Sequence, residues 1–141
     1  MKKELNNKGF SLVELIIVIA IMAVLMGVLA PQYLKYVKQS KISTDITNAQ
    51  EIATAINTAV ADQANATHDT INITSGTAFN GGDTMVTKTS GGTIAAPNPK
   101  AKSGTAWVVE FDTTDGVKTI TLDGAVIWPT SSAYETQAAT Y

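Results

Sequence analysis

Residues 10–30 read FSLVELIIVIAIMAVLMGVLA, an almost uninterrupted apolar run that limits the fold more than any other feature of the chain. As an α-helix it extends ~30 Å, at ~1.5 Å per residue, enough to cross a bilayer core. A short leader, MKKELNNKG, precedes it, and PQYLKYVKQSK follows. Lys2, Lys3 and Lys8 place the leader in the cytoplasm on the positive-inside rule, and the rest of the chain outside. On hydropathy alone a secretory signal peptide or a plain membrane anchor fits this run. Two residues argue against both. Pro31 would directly follow a cut after the small-residue pattern at 28–30, a poor arrangement for an ordinary signal peptidase. Glu14 interrupts the run near its start, where a charge costs about 2.5–3.5 kcal/mol when central and less near the interface. An anchor has no use for such a carboxylate.

A chain of 141 residues has room for one domain plus one appended segment. The ten basic residues are all lysine, and the formal charge is -2, so no basic stripe exists for a phosphate backbone and nucleic acid is not an expected partner. The absence of cysteine excludes disulfides, thiol catalysis and cysteine metal sites. The single histidine, His68, cannot form a metal site by itself. No Gly-rich phosphate loop, nucleophile elbow, paired catalytic carboxylates or His-based ligand set is present. The expectation is a protein without catalytic residues, metal or cofactor.

The order Lys8, Gly9, Phe10, Ser11, Leu12, Val13, Glu14, Leu15 resembles the type IV prepilin motif. It has the basic leader, the glycine, the aromatic first mature residue and the glutamate five positions into the mature chain. Pro31 is similar to the helix-kinking proline of that family, and the resemblance covers residues 8 to about 41. It implies that a prepilin peptidase cuts between Gly9 and Phe10 and N-methylates Phe10, this chain being substrate rather than enzyme. It also implies an α+β type IV pilin fold, a long N-terminal helix packed against a small antiparallel β-sheet head. Expected segments are a leader (1–9), an apolar transmembrane and filament-core helix (10–31), an amphipathic helix (32–65) and a loop-and-sheet head (66–141). The implied function is that of a structural subunit, first in the cytoplasmic membrane and then in an extracellular pilus for motility, adhesion or DNA uptake. Its partners would be other copies of itself, the peptidase, the inner-membrane assembly platform and, before assembly, the membrane. A pseudopilin or minor pilin of a type II secretion or competence system is the alternative within the superfamily. Outside it stands a membrane-anchored binding module or enzyme with an uncut anchor.

Glu14 acquires a purpose if the cut is made. Cleavage creates an α-amine at Phe10, one helical turn from Glu14, and the first turn of a helix favours an anion. Paired with that amine in the same or a neighbouring subunit, the carboxylate disfavours misaligned packings that leave a charge unpaired, so Phe10 and Glu14 are the expected assembly residues. Pro31 lacks the N–H for an i to i−4 bond, and Gly27 weakens the same stretch. Together they mark an expected kink or local unwinding, either a simple membrane-exit bend or a segment that loosens in a fibre.

Beyond Pro31 an amphipathic helix is predicted, with Leu34, Val37, Ile42, Ile46, Ala49, Ile52, Ala53, Ile56, Ala59 and Val60 on one face. Lys38, Lys41, Thr44, Asp45, Asn48 and Glu51 fall on the other, read as solvated or facing another subunit, with Asp45 and Glu51 as candidate partners for lysines of a neighbour. The whole helix would be ~80 Å long, a shape suited to a polymer. Tyr33 and Tyr36 are read as packing or interfacial residues. After residue 65 a long exposed loop is expected, then strands at 85–89, 105–112, 117–122 and 125–128, with hairpin turns at Asp115-Gly116 and Asp123-Gly124. Related pilins often close this region with a disulfide; here a C-terminal loop at 129–141 would be held by packing of Tyr134 and Tyr141 or by an ion. Asp112 and Asp115 lack the spacing of a calcium loop and are read as turn residues. Sequons at Asn65 and Asn72 are read as chance matches in a Thr-rich chain.

Overall fold

The computed structural model describes residues 9–63 and 69–141. The chain divides into two units, Met1–Val37 and Lys38–Tyr141. One helix, α1 (Leu12–Asp62), contributes to both and runs without a break through Gly27 and Pro31.

In the first unit no described residue covers the helix. Every large apolar side chain at 12–34 is at least 45% exposed, and Phe10 is 90% exposed. An 18-residue window here has a mean hydropathy of 3.0, with none of it buried. Leu34 belongs to this exposed set and Val37 is half-buried, so the stripe read from the sequence as starting at Leu34 becomes a buried stripe only at Ile42.

In the second unit the same helix presents Ile42, Ala49, Ile52, Ala53, Ile56 and Ala59 to a core. These recur at three- and four-residue steps, which keeps them on one face. Seven short strands supply the cover. The first sheet has β1 (Thr70–Ile71), β3 (Thr84–Thr87) and β4 (Thr93–Ala95), in the order β1-β3-β4. The second has β2 (Ala78–Phe79), β5 (Trp107–Asp112), β6 (Gly116–Leu122) and β7 (Ala125–Trp128), in the order β2-β5-β6-β7. All pairings are antiparallel. The predicted meander is therefore present, extended by β2, while the expected long loop contains β1, β2 and β4 and buries Phe79 and Ala96.

Alternation explains which strand residues face inward. Trp107 and Val109 pair with Leu122 and Ile120, and all four are buried. Between Glu110 and Phe111 the register shifts, so that Phe111 pairs with Val117 and Lys118 is the unpaired extra residue. That bulge reverses the phase of β6 and turns Val117 inward while Lys118 stays exposed. The β6–β7 turn has two residues, Asp123 (φ 54°) and Gly124 (φ 81°), both left-handed as a type I′ hairpin requires. Gly116 at φ +83° lies so close to Asn57 that a Cβ would fall 2.3 Å from its Oδ1, the same oxygen that accepts the Val117 N–H at 2.8 Å. A side chain at position 116 would break the tie between α1 and the start of β6.

Two sequence expectations are corrected here. Asp45, placed on the polar face, is wholly buried. Residues 129–141, expected as a loop, contain a helix, α2 (Ser132–Ala138), with Tyr134 and Ala138 buried. The Ser131 hydroxyl donates to Glu135 Oε1 (2.5 Å) beside its first turn.

Candidate processing and assembly segment

Gly9, Phe10 and Ser11 precede α1 in non-helical chain, and all three are exposed. Among the described residues, and apart from its chain neighbours, no atom lies within 4 Å of where a Gly9 Cβ would be. The Gly9–Phe10 bond is thus open and unencumbered, the condition a protease needs to take up an extended peptide. Lys8 and the rest of the leader lie outside the described residues.

Ser11 is the residue from which α1 begins. Its carbonyl accepts the Leu15 N–H at 3.2 Å, the first bond of the helix, and its own N–H donates to Glu14 Oε2 at 2.9 Å. A carboxylate three residues into a helix reaching back to the N-terminal amide is one half of a capping box. The sequence reasoning gave Glu14 a partner only after cleavage; the geometry gives it one in the intact chain as well. Ser-x-x-Glu at 11–14 was the signal, overlooked because the apolar run dominated the reading. Gly27 and Pro31 lie within the unbroken helix, and Tyr33 and Tyr36 are exposed on it at 67% and 73%.

The second unit holds its C-terminal segment through two carboxyl groups. Asp45 Oδ1 accepts the Lys100 N–H at 2.7 Å, and its Oδ2 accepts the Ala101 N–H at 2.8 Å and the Tyr134 hydroxyl at 2.7 Å. One side chain of α1 thereby ties down both the loop before β5 and α2. Trp107 Nε1 donates to the Pro97 carbonyl at 2.8 Å, fixing the same loop to the core. Burial, and then the bond to Asp45, push the Tyr134 hydroxyl well above the usual tyrosine range. Asp123, in the β6–β7 turn, accepts from the Tyr141 hydroxyl, Lys102 Nζ (2.9 Å) and Gln137 Nε2 (3.1 Å). The Tyr141 bond and then Lys102 hold the Asp123 carboxyl below its usual range, while burial and the bond to Asp123 push Tyr141 up to about 12. The expected packing of Tyr134 and Tyr141 is present, Tyr134 within the core and Tyr141 against it, and hydrogen bonds to Asp45 and Asp123 add to it.

Asp112 accepts the Thr114 N–H at 2.7 Å, as a turn aspartate does, and that bond lowers its carboxyl below the usual value. Asn72 Nδ2 donates to Thr87 Oγ1 at 2.9 Å, while Asn65 and His68 lie outside the described residues.

An exposed Gly–Phe junction, a glutamate-capped apolar helix and an α+β globular unit are the features to set beside known proteins. The family described as "Prokaryotic N-terminal methylation motif" matches residues 5–30. The type IV major fimbrial protein FimA of Dichelobacter nodosus is 41% identical over 56 residues, which is 40% of this chain and 36% of that one. The fimbrial protein of Moraxella nonliquefaciens is 40% identical over 52 residues, 37% of this chain and 34% of its own. The match thus spans about a third of the length of these curated relatives. No solved structure matches the chain to a comparable standard. The chain thus carries the N-terminal methylation motif, and its N-terminal part is similar to type IV fimbrial proteins.

Proposed function

We propose that this chain is the structural subunit of a type IV pilus, made as a prepilin, cut between Gly9 and Phe10, methylated at Phe10 and polymerised through α1. The observation that carries this reading is the apolar, wholly uncovered helix segment at 12–34. At ~25 cal/mol per Å² of apolar surface, such a segment needs a bilayer before assembly and other copies of itself afterwards. Its partners are therefore the membrane, a prepilin peptidase, an assembly platform in that membrane and other copies of the chain. It begins in the cytoplasmic membrane and ends in an extracellular filament. Within it Phe10 and Glu14 set assembly register, and Gly27 and Pro31 supply the place where the helix loosens when the fibre is stretched. Relatives named as major fimbrial proteins favour a major subunit over a pseudopilin or minor pilin. Mass spectrometry of the mature protein, with electron microscopy of sheared surface material, tests this reading. A methylated Phe10 terminus and filaments built of this chain are expected; an intact Met1 terminus in the surface fraction sinks it.

A further inference from the structure

Beside the Asp45 contacts, Lys38, Lys41, Ile42, Ala101, Ala138 and Tyr141 line a cavity of about 150 Å³. The two carboxyl groups bonded to its lining residues Ala101 and Tyr141 are occupied from within. Asp45 receives Lys100 N–H, Ala101 N–H and Tyr134, and Asp123 receives Lys102, Gln137 and Tyr141. Lys102 is further engaged over the Tyr141 ring, 5.0 Å from its centroid. Lys38, Lys41 and Lys100 are exposed, and among the described residues none has a carboxylate within ion-pair distance. The result is a local positive surface with a small recess and, among the described residues, no counter-ion.

The order of residues along the chain indicates what supplies the counter-ion. The almost uninterrupted apolar run ends at Ala30, Tyr33, Leu34, Tyr36 and Val37 follow it, and Lys35, Lys38 and Lys41 lie among and just after them. Hydrocarbon, aromatic belt and phosphate layer succeed one another in a bilayer in the same order. Lys35, Lys38 and Lys41 after the run oppose the orienting bias of Lys2, Lys3 and Lys8 before it, so orienting the span is not what these later lysines serve. We propose that Lys38 and Lys41, at the recess with Ala101, Ala138 and Tyr141, together with Lys100, next to Ala101 in the chain, bind the phosphodiester headgroup of an anionic phospholipid while the subunit is still in the membrane. The lipid would hold the globular unit at the bilayer surface and be released when other copies replace the membrane around α1. This deepens the pilin reading and rests on the membrane stage that it includes.

The test compares the full-length chain with Lys38→Gln/Lys41→Gln/Lys100→Gln in non-ionic detergent micelles doped with phosphatidylglycerol or phosphatidylcholine, counting retained lipid by native mass spectrometry. The leader lysines are common to both proteins and cancel. Phosphatidylglycerol retention is expected to fall about tenfold or more in the triple variant, with phosphatidylcholine unchanged. Undiminished phosphatidylglycerol retention overturns the proposal. So does a variant with normal lipid retention that makes no filaments, which would assign the lysines to contacts between copies. The measurement needs neither cleavage nor polymerisation, so its failure is separate from failure of the pilin reading.

Discussion

The two units solve opposite problems with one helix. At 12–34, α1 leaves every large apolar side chain exposed, whereas between Ile42 and Ala59 it buries its apolar stripe against two sheets of its own chain. The first stretch is completed only by surroundings; the second is complete by itself. Each carries one carboxyl group suited to that condition. Glu14 is exposed and holds a single amide at the helix start, leaving acceptor capacity for a partner outside the molecule. Asp45 is fully buried, and both of its oxygens are filled by three donors from distant segments. On the proposed reading, one acidic residue of the helix serves assembly and the other folding, and what separates them is whether the acceptor sites are filled from within.

Glu14→Ala tests the first half of that contrast and carries the largest expected effect. Removing an exposed carboxylate should leave membrane insertion and the thermal stability of the globular unit unchanged, while sheared pilus yield falls at least about tenfold through lost register. Normal pilus number and length in Glu14→Ala cells would falsify the assembly role and reduce Glu14 to a helix cap, worth about 1 kcal/mol.

Asp45→Ala tests the second half. It strands two backbone N–H groups and the Tyr134 hydroxyl in the interior, at about 1–3 kcal/mol for each unsatisfied group. After partial relaxation a loss of about 4 kcal/mol is expected, with Asp45→Asn losing roughly half as much. Urea unfolding of the full-length chain in detergent, followed by near-ultraviolet circular dichroism of Trp107 and Trp128, measures it. A loss under about 1 kcal/mol would mean that water replaces Asp45, and that packing alone closes the fold. Gly116→Ala should follow at about 2 kcal/mol, because it combines a left-handed φ with a clash against Asn57 Oδ1. An unchanged urea midpoint would show that Asn57 swings aside at no cost and that the α1–β6 tie is dispensable.

How far each region was legible follows from the range of its interactions. The N-terminal segment is local: the motif at 8–15, the apolar run and the cap at Ser11 are all readable within a few residues, and the cap was missed despite its Ser-x-x-Glu spacing. The long strands and the Asp123-Gly124 turn were legible because alternation and left-handed backbone are local properties too, whereas the β5–β6 turn falls at 113–115 and Gly116 opens β6. Asp45 was not. Its neighbours Lys41, Thr44 and Asn48 are polar, so periodicity assigns it to solvent, while its donors lie 55, 56 and 89 residues away. Such a partner set exists only once the chain has folded. The two-residue strands β1 and β2 and the seven-residue α2 are likewise too short to print a period, and their place is fixed by what they pack on.

The smallest expected effect refines the idea that the globular unit closes itself by carboxyl nodes. Tyr141 is raised to about 12, so its hydroxyl binds a proton more tightly folded than unfolded. Its contribution is therefore fully present below the ordinary tyrosine value near ~10, and is lost as pH rises from there through about 12. Asp123 is lowered, and its contribution runs the other way, present above the ordinary aspartate range and lost as pH falls through it. Tyr134 is raised further still and titrates against stability across the same alkaline window. Tyr141→Phe should consequently change the urea midpoint little at pH 7 while cutting the decline between about pH 10 and 11.5 by roughly half, the remainder belonging to Tyr134. Unfolding curves at pH 7, 10 and 11.5 measure this. An alkaline decline as steep in Tyr141→Phe as in the parent would show that Asp123 gains nothing from the tyrosine and that Asp45 alone closes the C-terminal segment.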